Sequence, residues 1–278
     1  ILQRCFGTME DYTELLLPAN ILVENGFIDL LNHTEFITDE EFRSPELIGW
    51  LYQFYISERK DEVFAKKGKF EADEIPAATQ IFTPNWIVKY MVQNTVGRIY
   101  LDNNPYTTLA YKEKWQYLVE PAEPTPAKAI LHYNELTDLK VADLACGSGH
   151  ILNECFDLLY DLYITEGYTR VEAITHIFQD NLTGIDLDPR AQQLSLFALT
   201  LKACQREHSF ADAHCLPRVL TMPKVPLPLP TDTRLAVEID AANILLKDAD
   251  SLGSIMKFNL TPAAREWVAS LVAENEAA

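Results

Sequence analysis

Basic charge is what this sequence lacks most: 23 Lys and Arg stand against 41 Asp and Glu, a formal charge of −18 over 278 residues. That balance does not describe a nucleic-acid-binding surface. Long apolar runs are also missing. An uncharged run such as Ala191 to Leu201 is too short to cross a bilayer, so no membrane partner is expected. No signal peptide is visible, and the chain starts Ile-Leu-Gln without a methionine, as expected of a piece of something longer. The cysteines (Cys5, Cys146, Cys155, Cys204 and Cys215) are odd in number and form no CxxC pair. They exclude a disulfide framework or zinc site and read as reduced thiols of a cytoplasmic protein. His33, His132, His176, His208 and His214 show no metal-ligand spacing.

What is present suffices for one large domain or two modest ones, since 48% of the residues are apolar. Residues 1–78 read as a helical region. In "SPELIGWLYQFYISERKDEVFAKK" a helix starts at Ser44-Pro45, with Leu47, Leu51 and Phe54 or Tyr55 along one face. No chemistry is evident there, and the expectation is a packing or partner-binding region. In "ATQIFTPNWIVKYMVQNTVGRIYLD" Thr83 is expected to cap a helix beginning at Pro84, with Ile87, Tyr90, Met91, Thr95 and Ile99 on its inner side. A linker-like region follows, least structured at "EPAEPTPAK".

The stretch "LKVADLACGSGHILNECFDLL" then reads as a strand with Val141 and Leu144 buried, a Gly-x-Gly turn, and a helix carrying Ile151, Leu152, Cys155, Phe156, Leu159 and Leu162 at helical spacing. "TRVEAITHIF" is a helix opened by a Thr169-x-x-Glu172 capping box. "LTGIDLD" is a second strand, and the helix behind it carries Pro189 in its first turn. "PRVLTM" is a third strand, a Pro-rich loop covers 223–230, and "TPAAREWVASLVAENEAA" is a final helix. This alternation predicts an α/β fold with a parallel sheet.

In such a sheet, ligands sit at the carboxyl ends of the strands, where Gly147 and Gly149 lie. A phosphate-cradling GxxxxGK[ST] loop is absent. A dinucleotide fingerprint would need a third glycine where Leu152 stands, and an acid nearer than Asp186. The remaining chemistry is S-adenosylmethionine, which has an ammonium, a carboxylate and a ribose diol but no phosphate. Asp143 suits the ammonium side, the backbone of Ala145, Cys146, Gly147, Ser148 and Gly149 can pack on the ligand, and Asp186 can accept from the ribose hydroxyls.

"ADLACGSGHIL", with "ATQIFTPNWIVKYMV" upstream and "TGIDLDPRAQQLSLFAL" downstream, resembles the N6-adenine DNA methyltransferases. More narrowly, "ATQIFTPNWIVKYMVQNTVGR" and "LLKDADSLGSI" resemble the PglX-type methyltransferases of BREX phage-defence systems, and the resemblance covers roughly residues 75–260. It implies a partial Rossmann-like S-adenosylmethionine-binding sheet over 79–255, preceded by the helical region 1–78 and followed by a helix or tail at 256–278. It implies further that Thr83 and Pro84 meet the methionine end of the cofactor, with Asp143 and the 145–149 turn beside them and Asp186 at the ribose. Asp250 matches the acid near the adenine, although Asp248 in the same "KDADS" is an alternative.

The family's catalytic element, [DNS]PP[YFW], is absent, so no catalytic residue is assigned. Asn104-Pro105-Tyr106 has one proline where two are needed and no strand leading into it, and reads as a turn. Lys66, Lys67 and Lys69 make only a small basic cluster, explained by a solvated helix end. Double-stranded DNA is therefore expected as a partner mainly through regions outside this chain. Cys146 has no suggested histidine base, and His150 is expected to cap the helix or touch the surface. Two alternatives stand beside the cofactor-binding piece of a DNA methyltransferase. One is half of a type IIG restriction-modification enzyme. The other is a non-catalytic S-adenosylmethionine-binding scaffold for other defence-system proteins.

Overall fold

The computed structural model describes residues 5, 20–34, 37–44, 47–66, 68–71, 74–79, 83–113, 115–212, 215–221, 226–249 and 255–276. The longer elements are α1 (Leu47–Ala65), α2 (Asn85–Asn94), α3 (Val96–Asn103), β1 (Val141–Asp143), α4 (His150–Thr165), α5 (Arg170–His176), β2 (Leu182–Asp186), α6 (Pro189–Arg206), β3 (Arg218–Thr221), α7 (Thr233–Lys247) and α8 (Pro262–Glu276). The chain forms two compact units: residues 1–59 with 80–220, and residues 60–79 with 221–278. These boundaries differ from a linear division at 78 and 255.

The first unit is mixed helix and sheet. Its sheet has the order β1-β2-β3, and β1 runs parallel to β2 with Val141 opposite Leu182 and Asp143 opposite Gly184. The strands are short, and the core is built largely by α4, which buries Leu152, Cys155, Phe156, Leu159 and Leu162 along one face, as its spacing predicts. Each such side chain contributes roughly 1.5–3 kcal/mol by leaving water. Asn181, fully enclosed, joins the loop before β1 to the approach to β2. Its amide donates to the carbonyls of Leu136 and Leu139, and its Oδ1 accepts from the Tyr163 hydroxyl. The Thr169–Glu172 capping box opens α5 as expected, and a single π-helical turn, Ile177–Asn181, delivers the chain into β2.

Several expected faces are corrected. In α2 and α3 the buried stripe is Val88, Val92, Val96 and Tyr100, while Tyr90 and Met91 are exposed and Ile99 packs only partly on the core. Ile-Val-Lys-Tyr-Met-Val is apolar nearly all round, so periodicity alone does not choose a face. Thr83 does not cap: Pro84 occupies the N-cap position, and no side chain bonds the helix end. In α1 the buried residues are Leu47, Tyr52, Ile56 and Val63, with Phe54 and Tyr55 outside, for the same reason. Leu144 is 71% exposed, because β1 ends at Asp143 and Leu144 already belongs to the turn.

The second unit contains α7 and α8. The α7 helix has Asp232 as its N-cap, accepting from the amides of Arg234 and Leu235. Asn243 holds the preceding loop by exchanging two hydrogen bonds with the backbone of Leu227, at 2.8 and 2.9 Å. Glu238 accepts from the amide and hydroxyl of Thr261 just before α8. The sequence reading did not include α7, although Asp232 ahead of an apolar-periodic run is an N-cap signal.

Candidate functional site

The β1 and β2 strands end side by side, each on a carboxylate, and the glycine turn lies between them. Gly147 and Gly149 both have positive φ, +53° and +87°. Only the absence of Cβ makes that cheap. The two glycines differ in surroundings. A Cβ on Gly149 would stand 2.4 Å from Ser195 Oγ, whereas one on Gly147 would meet no protein atom within 4 Å. Gly149 is thus fixed by close packing on α6, and Gly147 presents bare backbone to open space.

Hydrogen bonds lock the turn. The Cys146 amide donates to the Ile185 carbonyl at 3.0 Å, and the Gly149 amide to the Cys146 carbonyl at 2.8 Å. Asp186 Oδ2 accepts from the Gly147 amide at 2.8 Å, and its Oδ1 accepts from the Asp188 amide at 2.8 Å. Each of those oxygens keeps further acceptor capacity. Asp143 Oδ1 accepts from the Ala145 amide at 3.2 Å, while its Oδ2 and the Ser148 hydroxyl are buried without a hydrogen-bond partner. Burial raises the Asp143 pKa above the ordinary aspartate value, and the neighbouring Asp186 adds to the rise. A cationic or hydroxyl-bearing group beside the two carboxylates would relieve both effects.

Thr83 and Pro84 do not touch this turn directly through any hydrogen bond, but they line a cavity of about 200 Å³ with Trp50, Gln53, Asn85, Val88 and His150. His150 follows Gly149 at the start of α4, so the structure brings the Thr83-Pro84 segment to the helix end of the turn. A cavity of this size takes part of a cofactor, not the whole of one. Cys146 is buried, and burial together with Asp186 and Asp143 pushes its thiol up to about 12, which disfavours the thiolate that nucleophilic attack needs. Asp250 lies outside the described residues. Asn104 sits just past the end of α3, its amide bonded to Tyr133, and Tyr106 is almost fully exposed. Among the described residues no group of His, Cys, Asp and Glu is arranged to hold a metal, and no helix is long and apolar enough to cross a membrane.

The sequence reading missed what α1 contributes. Gly49 comes so close to the turn that a Cβ would stand 3.0 Å from Ser148 Oγ and 3.2 Å from the His150 ring. Three residues on, Tyr52 donates to Asp188 Oδ2 at 2.5 Å. Asp188 is 3% exposed, caps α6, and also accepts from the Arg190 amide and guanidinium. Burial opposes its ionisation, but the bonds from Arg190 and Tyr52 outweigh that and hold its pKa below the usual range. Asp188 before Pro189 is a legible N-cap signal. Nothing in the sequence marks Tyr52.

A parallel α/β sheet with a glycine turn and acids at two adjacent strand ends is the arrangement at which α/β proteins take up small ligands. Comparison with known proteins goes further. No protein-family model matches the chain. It is 46% identical to adenine-specific methyltransferase BrxX of Escherichia coli O9:H4 (strain HS) over 72% of this chain and 17% of the relative. It is 33% identical to adenine-specific methyltransferase PglX of Lacticaseibacillus casei (strain Zhang), over 99% of the chain and 24% of the relative. It is 26% identical to the Type II restriction enzyme and methyltransferase RM.Eco57I of Escherichia coli, over 72% of the chain and 19% of the relative. The chain is a homologue of the PglX-type adenine-specific methyltransferases. It spans between 17% and 24% of the length of these relatives.

Proposed function

We propose that this chain is the cofactor-binding part of a DNA adenine-N6 methyltransferase serving phage defence, and that its sheet is one half of a Rossmann-like fold holding S-adenosylmethionine. The observation that carries the reading is the meeting of Asp143, Asp186 and the Gly147 amide at the ends of two parallel strands. The residues fit the cofactor. Gly147 offers open backbone, and Asp143 has an orphaned carboxylate oxygen for an ammonium group. Asp186 keeps acceptor capacity for a ribose diol.

In this assignment, Thr83 and Pro84 lie toward the methionine end, with the backbone of Ala145, Cys146, Gly147 and Gly149 beside it. Asp250 remains assigned to the adenine side by resemblance alone. When bound, S-adenosylmethionine supplies a methyl group on a sulfonium, open to direct displacement by an adenine amine. The residues of this chain bind and orient it. Asp186 fixes the ribose, and Asp143 receives positive charge.

Accepting the target base belongs to polypeptide beyond this chain. Transfer needs groups that accept the amine's protons and a surface on which a flipped base stacks. A formal charge of −18 also leaves little to neutralise phosphates. Double-stranded DNA and any other defence-system proteins are proposed as partners of the whole protein. The likeness to RM.Eco57I favours, as a second reading, a restriction-modification enzyme with a nuclease elsewhere. Incubation of the chain with tritiated cofactor and mixed-sequence DNA tests the assignment: no incorporation is expected. Incorporation above background that Tyr106→Ala abolishes would contradict it.

A further inference from the structure

We propose that α1 is part of the cofactor-binding apparatus, with Tyr52 acting as a positioning residue that sets the Asp186 carboxylate through Asp188. The proposal rests on the S-adenosylmethionine reading above and adds a helix that neither the glycine motif nor the strand-end acids would assign to the site.

The connection runs through three short hydrogen bonds. The Tyr52 hydroxyl donates to Asp188 Oδ2 at 2.5 Å, the Asp188 amide donates to Asp186 Oδ1 at 2.8 Å, and the Gly147 amide donates to Asp186 Oδ2 at 2.8 Å. Asp188 is held from the other side by Arg190, whose Nε and Nη2 reach Oδ1 and Oδ2 at 3.1 Å each. Its orientation is therefore determined by α1 and α6 together. A hydrogen bond to a buried carboxylate is among the stronger ones, and the loss of one partner leaves an acceptor stranded.

The same face of α1 controls the other end of the turn. Gly49, one turn before Tyr52, lies so near Ser148 and His150 that no side chain fits there without displacement. Leu47, Tyr52 and Ile56 are buried, so this face of the helix is held by packing. One helix thus touches both loops that the cofactor would meet: the turn after β1 through Gly49, and the loop after β2 through Tyr52. Two loops at the ends of three-residue and five-residue strands have little regular structure to fix them. An external brace is what such loops require if Asp186 is to face a ribose in one orientation.

The test is a double-mutant cycle read by calorimetry with S-adenosylmethionine, using Tyr52→Phe, Asp186→Ala and the pair. Tyr52→Phe keeps the ring and its packing and removes only the hydroxyl. It is expected to weaken binding about tenfold, because an Asp186 carboxylate no longer oriented in advance must be ordered when the ligand binds. In the Asp186→Ala background the same change is expected to have no further effect, because the route to the ribose is already cut. A merely structural Tyr52 would give the same loss in both backgrounds. That result, or an unchanged affinity in Tyr52→Phe while Asp186→Ala binds weakly, overturns the positioning role and leaves the cofactor reading standing. An Asp186→Ala variant that binds as well as the wild type overturns the cofactor assignment and this proposal together. Phe54→Ala, on the exposed face of the same helix, serves as the control and is expected to bind normally.

Discussion

Gly147 and Asp186 are 39 residues apart in sequence and are joined by one hydrogen bond of 2.8 Å, from the glycine amide to the carboxylate. The bond ties the turn after β1 to the acid that ends β2. It couples the two strand ends, and the conformation of one glycine and the placement of one acid become a shared property.

The two glycines of the turn are expected to respond differently to alanine. Both positions carry a left-handed backbone, and an alanine there costs about 1–2 kcal/mol in strain. Gly149→Ala adds a clash with Ser195, and overpacking of that kind costs about 1–3 kcal/mol more. Urea unfolding should therefore show a clearly larger loss for Gly149→Ala than for Gly147→Ala. Equal losses would mean that α6 does not confine the turn.

Asp161 gives a pH-dependent prediction. Burial pushes its pKa from 3.8 to about 6, with Glu113 and Asp157 adding to the rise and Arg206 opposing it. A carboxyl whose folded pKa is raised favours folding while protonated. Its contribution is present below pH 3.8 and is lost as pH rises through about 6. Asp161→Asn mimics the protonated form and should raise stability at pH 7 by about 1 kcal/mol, after allowance for partial solvent screening. At pH 4 the gain should largely vanish. Chemical denaturation at both pH values checks this, and an equal gain at each would remove burial of Asp161 as the cause.

Much of the sheet, and of the turn between its first two strands, was legible in the residues. Glycines at 147 and 149, an acid at 143 and another at 186 are spaced as a strand-turn-helix unit and the next strand end require, and the parallel pairing of β1 with β2 follows. Faces were less legible where helices are apolar all round. Nothing in Trp-Ile-Val-Lys-Tyr-Met-Val or in Leu-Ile-Gly-Trp-Leu-Tyr-Gln-Phe-Tyr-Ile says which side is buried, and tertiary packing decides. The contribution of α1 was illegible for a different reason. Tyr52 and Asp188 are 136 residues apart, and a long-range side-chain bond leaves no local pattern. Asp250, assigned through resemblance, lies outside the described residues.

Binding of S-adenosylmethionine to this chain is the most direct test of the central claim. Titration calorimetry should show one-to-one binding that Asp186→Ala weakens by about 1–3 kcal/mol, the cost of stranding hydrogen-bonded polar groups. Absence of binding by the wild-type chain, or an Asp186→Ala variant of unchanged affinity, would contradict the assignment of the glycine turn as the cofactor site.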